Sequence, residues 1–292
     1  MQPKRSEFQT SNSIDDTEYR AFREYLEEAC GILLGDNKQY LVTSRMRKVI
    51  QECKLGTIGE LLAEVKRGRN LSLKDKIIEA MTTNETSWFR DSQPFNALKN
   101  HILPEILQKK PKRIRIWSAA CSSGQEPYSI AMTINEFQMA NPGALPKEVE
   151  IIATDISPAM IKQSSEGVYD EMNIVRGMSD ERRRRYFQQV EGGWKVNDSI
   201  REKVQFRNLN LLQSYALFGR FDIIFCRNVL IYFSKELKSD IVNRMAETLN
   251  PDSYLLLGGS ESMSKISDKF QMKKVDGTVL YKIDDKNRFR FS

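Results

Sequence analysis

Three short polar clusters in the sequence could do chemistry together. The first is Ser118-Ala119-Ala120-Cys121-Ser122-Ser123-Gly124-Gln125-Glu126-Pro127. It follows an apolar run and opens a helical pattern, so its small residues let a ligand approach free backbone N–H groups. Neither GxGxxG nor GxxxxGK[ST] is present, which weakens a dinucleotide reading and excludes a P-loop. Glu126 puts a carboxylate where a phosphate would otherwise sit. A carboxylate there suits the amino group of a bound amino acid, such as the methionyl part of S-adenosylmethionine. The second cluster centres on Asp155, at the end of an apolar strand, where an acid accepts bonds from ribose hydroxyls. The third is Cys226-Arg227-Asn228, with Tyr232 just beyond.

Composition narrows the chemistry. One histidine, His101, occurs in 292 residues, and it lies in a helix-like stretch among Leu98, Ile102 and Leu103. No nucleophile motif accompanies it, so the reaction must need neither imidazole nor a histidine-bound metal. Four cysteines, Cys30, Cys53, Cys121 and Cys226, form no CxxC pair, which argues against structural zinc and a disulfide framework. The net charge of +6 permits an acidic partner without demanding one. No apolar run approaches a membrane span. Met1 to Ser13 lacks a signal-peptide core and is expected to be a disordered lead-in.

The elements that must position these clusters follow from periodicity. Ile14 to Leu33 and Lys38 to Cys53 read as amphipathic helices. Thr57 with Glu60, and Ser72 with Asp75, read as starts of two more. These four make a small all-α N-terminal domain, 14–81. Residues 82–92 form a connecting segment, and a helix begins near Pro94. From there strands and helices alternate. Ile114–Trp117, Val149–Thr154, Phe221–Cys226 and Tyr254–Leu257 are strands, and Glu126–Phe137, Pro158–Ser165 and Lys235–Leu249 are helices. Such alternation predicts an open α/β sheet over 93–292, with a ligand site at the strand C-termini. Phe270–Lys274 and Val279–Ile283, around Asp276-Gly277, read as a hairpin at the sheet edge. Residues 167–206, with a Gly192-Gly193 turn, read as a small antiparallel β insertion.

The clusters, in this order, carry a resemblance. Thr82 to Arg90, TTNETSWFR, resembles the TTN-x-T-x-FFR signature of the CheR family of chemoreceptor glutamate methyltransferases. Trp117 to Ala131, WSAACSSGQEPYSIA, is similar to that family's cofactor loop. Ala153-Thr154-Asp155-Ile156, Asn210-Leu211-Leu212 and Phe225 to Phe233, FCRNVLIYF, complete the series. Cys121, Gln125 and Trp88 depart from the usual residues, but no site position is lost.

The resemblance implies a Rossmann-like domain that uses S-adenosylmethionine and releases S-adenosylhomocysteine. Asn84, Thr86 and Arg90 would close over the cofactor. Glu126 would bind its amino group and Asp155 its ribose. Asn210, Leu211, Arg227 and Asn228 would line its pocket, and Arg90 and Tyr232 would face the reacting centre. The implied reaction makes methyl esters on glutamates of methyl-accepting chemoreceptors, in sensory adaptation, by a monomeric cytoplasmic enzyme recruited to receptor arrays. Arg45, Arg47 and Lys48 would face the receptor's acidic methylation helices, and the β insertion could hold a receptor C-terminal tail peptide. No metal, nucleic-acid partner or membrane insertion is expected. A nucleic-acid methyltransferase is the rival, but a D/N-P-P-Y-type motif is missing where Cys226-Arg227-Asn228-Val229 stands. A non-catalytic scaffold that binds the cofactor is the other rival.

Overall fold

The computed structural model describes residues 14–68 and 71–284; the expected lead-in, 1–13, lies outside them. The chain divides into two compact units, Met1–Thr83 and Asn84–Ser292. In the first, four helices are described: α1 (Asp16–Cys30), α2 (Gln39–Glu52), α3 (Ile58–Lys66) and α4 (Leu71–Met81). Phe22, Leu26, Val42, Met46, Leu61 and Ile77 recur at helical spacing and bury together. Asp15 caps α1 by accepting from the Glu18 amide at 2.7 Å, and Gly31 closes it in the left-handed conformation. Thr57 caps α3, but Glu60 reaches back to the Gly56 amide rather than to that of Thr57, so the expected box closes one residue early. Ser72 stands in the first turn of α4 (Leu71–Met81).

The second unit is a two-faced sheet. Its first helical stretch runs α5 (Gln93–Ala97), a π-helical turn over Leu98–Ile102, and α6 (Leu103–Leu107). Then come β1 (Arg113–Ala119), α7 (Gln125–Ala140), β2 (Glu148–Asp155), α8 (Pro158–Glu166), β3 (Val168–Tyr169), α9 (Glu171–Val175) and α10 (Asp180–Tyr186). After them follow β4 (Phe187–Val190), β5 (Gly193–Val196), α11 (Asp198–Arg201), β6 (Val204–Asn208), β7 (Phe221–Cys226), α12 (Lys235–Glu247), β8 (Leu249–Leu257), β9 (Phe270–Val275) and β10 (Thr278–Ile283). The main sheet has the order β6-β2-β1-β7-β8-β10-β9. From β6 to β8 the neighbours are parallel; β10 joins β8 and β9 antiparallel.

Parallel strands covered on both faces must be apolar almost throughout. On β7, Ile223 and Phe225 join the cluster that holds Tyr128, Ile130 and Ile134 of α7, whereas Ile224 and Cys226 join Ile241, Val242 and Met245 of α12. Strand order reverses between β1 and β7, which makes that crevice the topological switch point.

One boundary differs from the sequence reading. Val204–Phe206 belong to β6, an edge strand paired with β2, and not to the small insertion. Their alternation fits a half-exposed strand but is too short to assign it to a sheet. The insertion itself is a three-stranded antiparallel sheet, β3-β5-β4, and the Arg182–Arg185 run lies on α10 beside it.

Candidate active site

Register sets the site. Ala119 of β1 lies opposite Thr154 of β2 and Cys226 of β7, and Cys226 lies opposite Leu257 of β8. The strand ends are therefore level, and the residues that follow them form one row: Ala120, Asp155, Arg227 and Gly258. Asn208 of β6 pairs with Asp155, which brings Asn210 and Leu211 to the same rim.

Glu126, in the first turn of α7, is the hub. Its Oε1 accepts from Ser118 Oγ at 2.8 Å and its Oε2 from Arg227 Nη1 at 3.0 Å. Arg227 is 1% exposed in its side chain and also donates Nη2 to the Arg90 carbonyl at 2.8 Å and to Asp91 Oδ2 at 2.7 Å. The segment 84–91 is thus fastened at its far end by Arg227. At its near end, Ser122 Oγ donates to the Asn84 carbonyl at 2.8 Å. In the middle, the Phe89 amide donates to Ser129 Oγ of α7.

Asp155 is buried. Its Oδ2 accepts from the Ser122 amide at 2.8 Å and its Oδ1 from the Ser157 amide at 2.9 Å. Burial pushes its pKa up, and the amide bonds work the other way. Asn228 donates its amide to Glu261 Oε2 at 2.7 Å, and the same oxygen accepts from the Gly258 amide at 2.7 Å. Ala120, Ser122, Asn228, Phe89 and Asp91 all take positive φ, between 47° and 59°. Left-handed backbone in non-glycine residues is costly, and it gathers where the surroundings enforce it.

Sequence reasoning thus placed Asn84, Arg90, Glu126, Asp155, Arg227 and Asn228, and bonds run through all of them. Asn210 turns the chain by accepting from the Leu212 amide at 3.0 Å, and the buried Leu211 gives its carbonyl to Tyr215 and Arg244. Thr86 and Tyr232 are half-buried on the flanking segments, and among the described residues neither side chain bonds into the network. In the other unit, Arg47 and Lys48 are exposed on α2, but Arg45 donates to the Met81 and Thr82 carbonyls at 2.7 and 3.0 Å, closing the end of α4. Asp91 and Glu261 were missed, and Ser118, though inside the first cluster, was given no role of its own. Asp91 directly follows the TTNETSWFR stretch, and Glu261 lies in a Gly258-Gly259 loop after β8, so position after a strand or motif was the available signal.

The residues fit S-adenosylmethionine. Each carboxylate oxygen of Asp155 and Glu126 uses one lone pair in the bonds above and keeps one for a ribose hydroxyl or an ammonium group. Arg227 Nε is buried without an acceptor among the described residues, a donor that suits a bound carboxylate. Burial pushes the thiols of Cys121 and Cys226 well up, which disfavours the nucleophilic thiolate. Among the described residues no cluster could hold a metal ion, and no helix is long and apolar enough to cross a membrane.

Comparison with known proteins bears on this arrangement. Residues 84–279 match the family model described as CheR methyltransferase, SAM binding domain, and residues 17–82 match CheR methyltransferase, all-alpha domain. The chain belongs to the CheR methyltransferase family. As a CheR methyltransferase it depends on S-adenosylmethionine. It is 53% identical to the chemotaxis protein methyltransferase of Vibrio parahaemolyticus over 275 residues, 94% of this chain and 99% of that protein. Chemotaxis protein methyltransferase 1 of Vibrio cholerae is 52% identical over the same shares. Chemotaxis protein methyltransferase Cher2 of Pseudomonas putida is 48% identical, over 92% of this chain and 98% of that protein.

Proposed function

We propose that this CheR methyltransferase acts in chemotaxis, forming methyl esters on glutamate side chains of chemoreceptors. The observation that carries the reading is the bonded row Asn84–Ser122–Asp155 and Arg90–Arg227–Glu126 at the switch point of the sheet. In this reading Glu126 and Arg227 hold the amino-acid end of the cofactor, Asp155 holds the ribose, and Asn210, Leu211 and Asn228 line the remainder. Bound there, S-adenosylmethionine supplies an electrophilic methyl group.

The acceptor needs no base. A glutamate with pKa near 4.3 is ionised at neutral pH, so it arrives as a nucleophile. His101 is engaged with Asp276, with Nε2 and Oδ2 2.6 Å apart, on the hairpin between β9 and β10. Arg90 and Tyr232 then have one task, which is to orient the acceptor carboxylate for in-line attack. Excluding water from the cleft removes solvation that opposes the neutralisation of charge. Arg90 suits this task because its main chain is fixed by Arg227 while its side chain bonds only the Glu85 carbonyl, at 3.2 Å, among the described residues.

Exposed Arg47 and Lys48 would steer the acidic receptor surface, and the small sheet β3-β5-β4 would hold a receptor tail peptide. A cytoplasmic enzyme, monomeric and recruited to receptor arrays, fits this use. Radiolabelled methyl transfer onto receptor-containing membranes tests the reading. Label that base releases as methanol supports an ester. Base-stable label, label on nucleic acid, or no transfer would overturn it.

A further inference from the structure

The small sheet does more than ornament the fold, because one of its side chains reaches the cofactor loop. Tyr169, on β3, is 1% exposed. Its hydroxyl donates to the Ser123 carbonyl at 2.7 Å, within the loop that carries Ser122 and leads into Glu126. Burial pushes the Tyr169 pKa well above its ordinary value, so the hydroxyl keeps its proton and remains a donor. The ring stands edge-on against Trp88, with centroids 4.8 Å apart, and Trp88 belongs to the segment 84–91. One side chain therefore touches both walls of the site.

Neighbouring contacts tighten the same joint. Ser164 Oγ lies 3.0 Å from the Ser122 carbonyl and 2.7 Å from the Met160 carbonyl and shares its one proton between them, and the Tyr128 hydroxyl donates to the Ser164 carbonyl at 2.6 Å. At Gly124, with φ +93°, an added β-carbon would come within 3.0 Å of the Tyr169 hydroxyl and of Ser164. The loop can pass only because that residue lacks a side chain. On the other side, Trp88 meets Phe187 of β4 edge-on at 5.1 Å and donates its indole N–H to the Asn173 carbonyl at 3.0 Å.

We propose that Tyr169 is a positioning residue for cofactor binding, holding the loop 122–124 so that the Ser122 amide and the Glu126 carboxylate are set before the ligand arrives. The small sheet is thereby a structural part of the cofactor site. The loop needs such a prop because Ser122, which carries a side chain, sits at φ +51°, a conformation that is costly unless the surroundings enforce it. Removing the phenolic oxygen leaves the Ser123 carbonyl without this donor in a buried place and frees the loop to relax.

The test is Tyr169→Phe, which keeps the ring against Trp88. Affinity for S-adenosylhomocysteine is measured by calorimetry, alongside thermal melting of the ligand-free protein and KM and kcat for S-adenosylmethionine. The expected result is affinity weakened roughly tenfold, with KM rising by a larger factor than kcat falls. Ser164→Ala, which removes the adjacent bond to Ser122, should shift affinity in the same direction and serves if Tyr169→Phe does not fold. Unchanged affinity in a folded Tyr169→Phe protein overturns the proposal. So does a fall confined to kcat, or a loss of melting temperature with affinity intact.

Discussion

Replacing Glu126 by Gln removes one charge and almost no volume. Arg227, with its side chain 1% exposed, then loses the carboxylate 3.0 Å from Nη1 but keeps Asp91 Oδ2 at 2.7 Å and the Arg90 carbonyl at 2.8 Å. Breaking a buried pair outright costs about 3–5 kcal/mol. With two acceptors left, about 1–2 kcal/mol is expected, or about 2–8 °C of melting temperature for a unit of this size. The cofactor's ammonium group loses its charged acceptor outright. A charge-assisted bond is worth about 1.5–3 kcal/mol, so S-adenosylhomocysteine should bind roughly 10- to 150-fold more weakly. Calorimetry of wild type and variant measures this directly. A second titration with 5′-methylthioadenosine, which lacks the amino-acid end, isolates the cause. Its affinity should be the same in both proteins. Equal losses for the two ligands, or none for either, would refute the assignment of Glu126 to the ammonium group.

Three further outcomes are expected. Arg90→Ala should cut kcat by at least about tenfold and change S-adenosylhomocysteine affinity far less, as steady-state kinetics and calorimetry will show. Methylation should slow steeply as ionic strength rises past the point where the Debye length is about 8 Å. Alanine at Arg47 and Lys48 should flatten that dependence, while Arg45→Ala should act on melting temperature through the end of α4. Burial works against charge on Glu105, but Lys282, Tyr254 and Lys273 bond its carboxylate and bring its pKa to about 2. A lowered folded-state pKa contributes stability above the unfolded value, and that stability is lost as pH falls from about 4.5 towards 2. After solvent screening the contribution is about 1–2 kcal/mol. Glu105→Gln should remove it at pH 7 and flatten the acid limb of a denaturation profile.

Much of the fold was legible because buried parallel strands leave little choice of residue. The runs Ile114–Trp117 and Phe221–Cys226 can only be strands covered on both faces. The Asp276-Gly277 turn was legible because a tight hairpin needs positive φ, here 46° and 79°. Strand β6 was not, because Val204-Gln205-Phe206-Arg207 alternates as a half-exposed strand does but is too short to tell which sheet it joins. The π-helical turn at Leu98–Ile102 was also hidden, because its apolar spacing resembles that of an α-helix. For the candidate site, residue types at strand ends and at the start of α7 singled out Glu126, Asp155 and Arg227, which the fold brings together. The sequence was silent on their supports, since Asp91, Glu261 and Tyr169 act through bonds to distant segments. Arg45 shows the reverse error: a basic residue on a helix reads as surface charge until its carbonyl partners are known.

The position of β10 bears on how the chain is made. It lies between β8 and β9, although it follows both in sequence. During synthesis, β8 therefore leaves the ribosome with one edge bare and stays so until Thr278–Ile283 has emerged. A bare edge of apolar parallel sheet is a template for pairing with another chain. The helices of the first unit complete their own contacts well before that stage. Chains in which Thr278–Ile283 has yet to pair should therefore be those most prone to aggregate.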